Sequence, residues 1–440
     1  MKKILAFMLA LCMVLCICGC QNEPDNASSQ ETEVEYQQII VDENGNEITT
    51  SFPTASSEDS TSSDDNTTIS GNVDSGNTST ITSGTQPNYI DYNKVVEVDI
   101  CDDIIRGYLD SPTPERQYAM LSEYSTSKLD YQRVELDWRL DGSAMYTITV
   151  SENADFSNSY TIQSKFMTVD SGIFVPGKTY YWKVTGSITN EILGGGKIRI
   201  KDAPVRWIKA AGTGNVRDMG GWKTESGKTV KYEMMYRGQN IDNLTTSGIE
   251  TFKKLRMKTE LDLRYEKDKN QREGTGMNYI FIRYEEGAWY DKILSENSSY
   301  KAEATTNYKK IFEILSDESN YPIYTHCSAG ADRTGTFAFI TNGLLGVSYE
   351  DLTRDFELTS FSSSGKRWRG NGNGGTFTED DDEMKVEGNY VAWGKLYKAM
   401  MAYGQKNGCT TLSQSIEYFL TSYVGVPKSQ IDNFKNIMLE

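Results

Sequence analysis

The spacing of apolar residues changes near residue 204, and this change limits what the chain can fold into. Three segments before that point alternate polar and apolar residues one by one: VELDWRL (134–140), AMYTITVS (144–151) and KTYYWKVTG (178–186). A period of two is typical of strands that bury one face. Turn signals at Asp141-Gly142 and Pro176-Gly177 separate these strands. Short strands divided by turns predict an all-β sandwich, which we assign to residues 89–203.

The region from residue 204 onward has a different pattern. Its short apolar runs TELDLRY (259–265) and YPIYTH (321–326) have the length of buried strands. Three segments have helical spacing: 308–317, 334–346 and 392–405. Gly346 and Gly404 are predicted to end the last two helices. Strands that alternate with helices predict an α/β domain, a central sheet flanked by helices, over residues 204–440. The predicted fold class is therefore multidomain.

Two tryptophans of the sandwich region, Trp138 and Trp182, are predicted to lie in its core. The run from residue 134 to 186 resembles a fibronectin type III or immunoglobulin-like module in its strands and turns. A role for these indole rings in stacking on carbohydrate is the alternative. The resemblance implies a module that binds a protein or a carbohydrate partner.

The first residues of the chain form a targeting segment. Lys2 and Lys3 precede a short apolar run that ends near Cys18, which is the arrangement of a secretory signal. The closing letters ICGC resemble a bacterial lipobox, which implies that residues 1–19 are removed and that Cys20 carries lipid. A plain signal peptide cut nearby is the alternative. We expect an exported protein on the outer face of the bacterial cell membrane, held there only by its lipid anchor.

Residues 20–88 are predicted to form a disordered spacer. Serine, threonine, asparagine, aspartate and glycine dominate residues 54–87, which leaves too little apolar surface to offset the entropy of the chain. An Asn44-Gly45 turn signal lies between two short strand-like runs of this spacer. Because an isolated hairpin is marginal in water, the spacer remains the prediction.

Charge and residue counts exclude two classes of function. A formal net charge of −17 argues against a nucleic-acid binder. One histidine in 440 residues, with cysteines isolated from each other in sequence, cannot make a zinc ligand set. The thiols that remain beyond Cys20 are Cys101, Cys327 and Cys409, and they form no disulfide framework. We predict neither a metal nor an organic cofactor.

The single histidine opens the segment HCSAGADRTG (326–335), between a predicted strand and a predicted helix. The small residues after Cys327 let the chain curl so that several backbone N–H groups point into one cup. The following helix adds its positive end, and Arg333 adds a guanidinium that can hold two phosphate oxygens. The same donors favour the thiolate of Cys327 beneath a bound phosphoryl group. The predicted phosphate-binding residues are consecutive: Ser328, Ala329, Gly330, Ala331, Asp332 and Arg333.

Cys-x5-Arg, with a histidine before it and a threonine after it, is the signature of cysteine-dependent protein tyrosine phosphatases. Further segments add a resemblance to the bacterial tyrosine/serine phosphatase family: GNVRDMGGW (214–222), YRGQNIDNLTTSGIETFKKL (236–255) and TELDLRYEKD (259–268). The resemblance extends from about residue 205 to the end of the chain. It implies a phosphatase for phosphotyrosine, with phosphoserine as a second substrate class.

This resemblance implies a two-step reaction. Cys327 attacks phosphorus and forms a phosphocysteine, while Arg333 and the N–H groups of the loop stabilise the equatorial oxygens. Water then hydrolyses the intermediate. His326 orients the loop by hydrogen bonds, and Thr334 donates a hydrogen bond to the cysteine sulfur. Arg217, Asp218 and Asp262 are further supporting residues.

The leaving phenolate needs a proton, so a general acid is expected, and without another histidine a carboxylate is predicted. Asp332 matches the usual candidate of the family. Asp262 and Asp218 are its rivals. The alternative for Asp218 is a turn residue, and the alternative for Asp262 is an ion-pair partner of Arg264 or Arg217.

Two other functions stay open. Relatives that act on phosphoinositides often carry a lysine where this chain has Ala331, which weakens the case for an inositol-phosphate or phosphoinositide phosphatase. The basic stretch GKRWRGNGNGG (365–375) supplies cations for such a substrate, or is a solvated loop beside the acidic run 379–383. The remaining alternative is a surface-binding lipoprotein with a degenerate phosphatase domain. The expected partner is a phosphorylated protein or a small phosphoester.

Overall fold

The structure is a computed structural model that describes residues 36–41, 47–52, 89–124, 129, 133–266, 274–365, 367–368 and 390–440. The chain divides into two compact units: Met1–Tyr36 with Phe52–Thr68, and Gln37–Ser51 with Ile69–Glu440. Nearly all the described residues belong to the second unit. The predicted signal segment, Cys20 and the acidic run 379–383 lie outside them. Within the described part of the chain, no helix is both long and apolar enough to cross a bilayer.

The amino-terminal half of the second unit is built from strands. They are β1 (Tyr36–Val41), β2 (Glu47–Phe52), β3 (Ile90–Val98), β4 (Arg133–Glu135), β5 (Tyr146–Ser151), β6 (Tyr160–Ser164), β7 (Thr168–Asp170), β8 (Thr179–Gly186) and β9 (Ile192–Ile200). Seven of them form one sheet in the order β2-β1-β6-β5-β8-β9-β3, and β4 pairs with β7 in a small second sheet. Every second residue of β8 is buried, as the period of two predicts.

Side chains of both sheets share one hydrophobic core. Trp138 and Trp182 lie in this core with only 1% and 8% of their surface exposed, as predicted. Such burial leaves neither indole a face for stacking on carbohydrate. Gly142 and Gly177 adopt φ values of 83° and 82° at the two predicted turns, a conformation that glycine reaches without steric cost. The likeness to a fibronectin type III module stays a prediction.

Two features lie where the sequence predicts something else. β1 and β2 lie within the predicted spacer, on either side of the Asn44-Gly45 turn signal, and β1 pairs antiparallel with β6. This pairing supplies the sheet neighbour that an isolated hairpin lacks. In addition, helices Asp103–Leu109 and Pro114–Tyr124 interrupt the region predicted to be all-β, and we call them the amino-terminal helices. The side chain of Asp102 caps the first of them.

The amino-terminal helices pack into the core of the following α/β region, and their apolar side chains join its hydrophobic cluster. The ring of Tyr108 meets Phe361 edge-on with 5.6 Å between centroids, and Tyr118 meets Trp368 at 5.2 Å. The Tyr108 hydroxyl donates to the buried carboxylate of Glu357. The domain boundary at residue 203 stays a prediction. Helices that precede this residue share a hydrophobic core with residues that follow it.

Five strands form the sheet of the α/β region: β10 (Arg217–Asp218), β11 (Met235–Gly238), β12 (Thr259–Asp262), β13 (Asn278–Phe281) and β14 (Ile323–His326). Their order is β10-β11-β14-β12-β13. β14 lies between β11 and β12 and runs parallel to both. All four residues of β14 are buried, as is typical of a central parallel strand whose sheet is packed on both faces. The predicted strands at 259–265 and 321–326 correspond to β12 and β14.

The described helices around this sheet are Thr246–Lys254, Ser298–Leu315, Asp332–Leu344, Tyr349–Leu358, Tyr390–Lys406, Leu412–Tyr418 and Lys428–Met438. Three of them cover the three predicted helices. Gly346 follows the end of one with φ of 93°, as predicted. The prediction for Gly404 is wrong, because this residue lies inside the helix Tyr390–Lys406. A Cβ atom there would lie 1.9 Å from the hydroxyl of Ser415, so glycine is needed for helix packing.

Ile105→Ala tests whether the amino-terminal helices share the core of the α/β region. Ile105 is 1% exposed, so its truncation leaves a cavity, and we expect the free energy of unfolding to fall by about 2–5 kcal/mol in urea titrations. Ile188→Ala is the matched control, since Ile188 is 63% exposed, and should change it by less than about 0.5 kcal/mol. An α/β region that unfolds at an unchanged urea concentration in the Ile105 variant would contradict the shared core.

Candidate active site

The segment with the single histidine connects the central strand to a buried helix. His326 ends β14, Cys327 follows it, and the helix Asp332–Leu344 begins five residues after that cysteine. Gly330 adopts φ of 66°, and a Cβ atom at this position would lie 2.1 Å from the carbonyl oxygen of Gly238. Only glycine fits such a close approach. The predicted strand, loop and helix are therefore all present at this point.

Neighbouring segments hold the carbonyl groups of the loop from outside. Three carbonyl oxygens accept side-chain hydrogen bonds: Ser328 O from Asn240 Nδ2 (3.0 Å), Ala329 O from Asn215 Nδ2 (3.1 Å) and Gly330 O from Arg237 Nη2 (2.8 Å). In a planar trans peptide the C=O and N–H groups point in opposite directions. The N–H groups of residues 329–331 therefore face the other side of the loop. Together with the first turn of the helix, they form a cup that suits an anion.

The donors of this scaffold are tied together by one buried carboxylate, Asp355. Its Oδ1 lies 2.7 Å from Arg217 Nε, and its Oδ2 contacts Arg237 Nη1. Arg217 also donates to the side-chain oxygen of Asn215 at 2.6 Å, which fixes the amide so that its Nδ2 faces the loop. Burial pushes the pKa of Asp355 upward, but the two guanidinium groups outweigh burial and hold this pKa below its ordinary value. Arg217 was predicted as a supporting residue, whereas Asp355 and Arg237 were missed.

His326 lies behind the loop and is fully buried. Its Nδ1 lies 3.1 Å from the carbonyl oxygen of Cys327, so this nitrogen carries a proton and donates it. Its Nε2 lies 2.9 Å from Oε1 of Glu260. These contacts fix the ring and agree with an orienting part for His326.

His326 belongs to a cluster of possible metal ligands. The count of histidines and cysteines in the sequence did not predict this cluster. Atoms of Glu260, Asp262 and His326 all lie within 4.8 Å of one another. The guanidinium of Arg264 contacts Asp262 at 2.7 Å. A fixed cation of the chain thus already supplies positive charge to this carboxylate.

The two rival carboxylates are enclosed by their own partners. Asp262 is fully buried, and burial by itself raises the pKa of its carboxyl group. Interactions with neighbouring groups, of which the hydrogen bonds from Arg264 are the largest, outweigh burial and hold this pKa below its ordinary value. Asp218 accepts a hydrogen bond from the N–H of Gly220 at 2.9 Å and contacts Arg206 at 3.2 Å. Burial raises the pKa of Asp218 to about 6 although Arg206 opposes this. Asp218 acts as a turn residue and Asp262 pairs with Arg264, as their structural alternatives predict.

Asp332 lies at the start of the helix with 17% of its side chain exposed. The hydroxyl of Tyr290 donates to its Oδ1 at 2.6 Å. Arg367 donates to both carboxylate oxygens, each at 3.1 Å. The basic stretch 365–375 therefore reaches the phosphate loop through Arg367, while its residues 366 and 369–375 lie outside the described ones.

The predicted hydrogen bond between Thr334 and the sulfur of Cys327 is not found. Cys327 is 4% exposed at the base of the loop. The hydroxyl of Thr334 is buried and has no hydrogen-bond partner in the described part of the chain. The predicted donation from Thr334 to the sulfur is therefore not made in this structure.

Arg333 faces a cavity of about 670 Å³ beside the loop. The cavity is lined by aromatic and acidic side chains: Tyr265, Glu285, Glu286, Trp289, Tyr300 and Glu303. The guanidinium of Arg333 lies 5.5 Å from the centre of the Trp289 ring, which itself stacks on Tyr290. This lining was not predicted from the sequence, although the mixture of charged and aromatic residues in EEGAWYD (285–291) was a signal for it.

Comparison with known proteins identifies a family and a similar solved structure. The model described as "Tyrosine phosphatase family" matches residues 208–440. The core catalytic domain of PP-IP phosphatase SIW14 from S. cerevisiae, crystallised with citrate, is 20% identical in sequence. That match covers 30% of this chain and 73% of the other, with a TM-score of 0.23. No curated protein matches the chain.

Asp355→Asn tests the scaffold of the loop through the pH dependence of stability. Because the pKa of Asp355 is lower in the folded state, its ionisation stabilises the fold above the ordinary carboxyl pKa of about 4. This contribution is lost as the pH falls through the folded pKa. At pH 7 we expect the variant to lose about 3–5 kcal/mol, because two buried guanidinium groups lose their counter-ion. Urea unfolding from pH 7 to pH 3 measures the difference, which should shrink toward acid.

Asp432→Asn is the matched control for this change. Asp432 is half exposed and pairs with Lys428 on the surface, so its loss should cost less than about 1 kcal/mol at any pH. A cost of Asp355→Asn that is the same at pH 3 and pH 7 would contradict a stabilising charge at this position.

Proposed function

The chain belongs to the tyrosine phosphatase family, and from this premise we propose that it hydrolyses phosphotyrosine in proteins through a phosphocysteine intermediate. The family supports phosphatase activity. The observation that carries the finer proposal is the loop after β14. Its carbonyl groups are held outward by Asn240, Asn215 and Arg237, so its N–H groups are free to face a phosphate above Cys327.

In the proposed reaction the thiolate of Cys327 attacks phosphorus from the base of the loop. A sulfur–phosphorus bond forms as the bond from phosphorus to the phenolic oxygen breaks. The loop N–H groups and Arg333 stabilise the three equatorial oxygens, which carry the developing charge. Water then attacks phosphorus, the thiolate leaves, and inorganic phosphate is released. Serine phosphate is a second substrate class for the same chemistry.

Asp332 is the proposed proton donor to the leaving phenolate. Of the three predicted carboxylates, Asp218 and Asp262 are buried among their own partners, while Asp332 is partly exposed at the loop. Arg367 engages both of its oxygens, so one of them has to leave the guanidinium before it delivers a proton. Tyr290 holds the carboxyl group in position meanwhile.

One observation favours a second candidate, an inositol-phosphate or phosphoinositide phosphatase. Arg367 brings a cation of the basic stretch to the loop, where Ala331 supplies none. Transfer of this guanidinium from Asp332 to a substrate phosphate would replace the missing loop lysine. A substrate panel separates the two candidates.

We further propose, on the sequence alone, an exported enzyme anchored by lipid on Cys20 at the outer face of a bacterial membrane. In this proposal the part of residues 20–88 outside β1 and β2, together with the strand-rich module 89–203, holds the catalytic region away from the bilayer. In this proposal the module binds a protein or carbohydrate partner through its surface.

Cys327→Ser tests the thiolate mechanism. Hydrolysis of phosphotyrosine peptides, phosphoserine peptides and inositol phosphates is measured for the full-length protein under reducing conditions. We expect peptide hydrolysis by the wild type and a loss of about 10⁴-fold or more in kcat in the variant, because the nucleophile is removed. Cys409→Ser, which removes a thiol remote in sequence from the loop, is the matched control and should retain activity. A folded wild type that hydrolyses none of the panel would indicate a degenerate surface protein.

Asp332→Asn tests the proton donor with two leaving groups. Loss of a general acid should slow phosphotyrosine by about 10²-fold or more, since its phenolate needs a proton. p-Nitrophenyl phosphate should be slowed much less, because nitrophenolate leaves without one. Initial rates of both esters from pH 5 to pH 8 measure this difference. Equal slowing of the two esters would make Asp332 a positioning residue only.

A further inference from the structure

The cavity beside Arg333 carries a charge pattern that the phosphatase reaction does not use. Three carboxylates line it, Glu285, Glu286 and Glu303, and in the described lining Arg333 is the single cation. During catalysis Arg333 is taken by the reacting phosphate. The other side chains of the cavity, which are carboxylates and aromatic rings, are then left to contact the rest of the substrate.

The carboxylates are held in place. Glu303 accepts hydrogen bonds from the backbone N–H groups of Glu285 and Gly287 at 2.6 and 2.7 Å, which fixes the segment that bears the other two. Glu286 accepts from the hydroxyl of Tyr300 at 2.7 Å. These hydrogen bonds fix the carboxylates of Glu286 and Glu303 and the backbone of Glu285. We call the three glutamates of the lining the acidic wall.

Two cations of the chain lie near this wall and offset part of its charge. Arg283 contacts Glu285 at 3.1 Å, and Lys292 contacts Glu286 at 3.3 Å. Both glutamates stay accessible, with 49% and 64% of their side chains exposed. Glu303 makes no ion pair with any residue that the structure describes. Once phosphate takes Arg333, one negative charge is in surplus among these groups.

The aromatic faces of the cavity suit the same kind of ligand. Tyr265 is 46% exposed at the rim, and Trp289 and Tyr300 are further walls. The chain's own cations already lie over two of these rings: Arg283 at 4.4 Å from the centre of Tyr265 and Lys292 at 5.5 Å from that of Tyr300. Such faces attract cations as well as aryl rings.

We infer that this cavity selects phosphotyrosine segments in which a lysine or arginine lies next to the phosphorylated residue. The inference rests on the proposed phosphotyrosine activity. The substrate ring lies among the aromatic walls, its cationic neighbour meets the surplus negative charge of Glu285, Glu286 and Glu303, and an acidic neighbour is repelled. A second phosphate group on a small substrate meets the same repulsion.

The test uses phosphotyrosine peptides that differ only in the flanking residues, which are lysine, alanine or glutamate, with p-nitrophenyl phosphate as a substrate without flanks. For the full-length protein we expect kcat/KM about 10-fold higher with lysine than with glutamate flanks at low salt. The ratio should shrink at 0.5 M salt, because the glutamates are exposed and their field is screened.

Glu285→Gln combined with Glu286→Gln should abolish the preference for lysine and bring the lysine-to-glutamate ratio to one or below, because Arg283 and Lys292 then lose their carboxylate partners. Glu296→Gln, an exposed glutamate of the same segment outside the cavity lining, is the matched control and should keep the wild-type ratio. Glu303 is left unchanged in this design because it also braces the backbone.

The outcomes separate this inference from the proposed function. Hydrolysis of all peptides at equal rates, or an unchanged ratio in the double variant, would overturn the selection of cationic flanks and leave the phosphatase intact. Hydrolysis of inositol phosphates without any hydrolysis of the peptides or p-nitrophenyl phosphate would overturn the proposed function itself.

Discussion

The carboxylate of Asp355, shared between Arg217 and Arg237, is the interaction on which the geometry of the loop depends. The three groups are buried, so each guanidinium needs a partner close by, and one carboxylate serves both. From this centre one arginine reaches a loop carbonyl directly, and the other orients Asn215 toward a second one. The direction of the peptide groups around Cys327 is thus set by an ion network beneath the loop rather than by the loop residues themselves.

A second support reaches the loop from the amino-terminal helices. Tyr108 packs on Phe361 and Tyr118 packs on Trp368. Between these two contacts lie Ser364, whose hydroxyl donates to the carbonyl of Ala329 at 2.9 Å, and Arg367, which engages Asp332. These helices precede the region matched by the family, 208–440, yet they buttress its active-site loop. The hydrophobic core around the loop therefore includes residues that precede those matched by the family.

The chemistry of the substrate site is divided between two surfaces. The loop offers N–H groups and Arg333 to a phosphate, which any phosphomonoester presents. The adjoining cavity offers Glu285, Glu286 and aromatic faces, which in our proposal distinguish one phosphomonoester from another. Ala331 belongs to the loop and carries no charge, so the cations near the loop are Arg333 and Arg367, whose guanidinium contacts Asp332. In this proposal, catalysis and selectivity depend on different parts of the chain.

The sequence by itself determined the elements that short-range physics fixes. A period of two predicted β8, buried apolar runs predicted β12 and β14, and small residues between β14 and a helix predicted the anion loop. Only the tertiary structure decided which distant residues complete the site. Asp355 and Tyr290 lie far from Cys327 in sequence, and nothing local to them differs from an ordinary surface helix or aromatic core residue. Gly404 was assigned to a helix end because a glycine inside a helix is costly, and only its contact with Ser415 reveals the reason for it. Local patterns in the sequence predict the conformation of each segment. Hydrogen bonds and ion pairs between distant segments form only when the chain folds and brings their partners together.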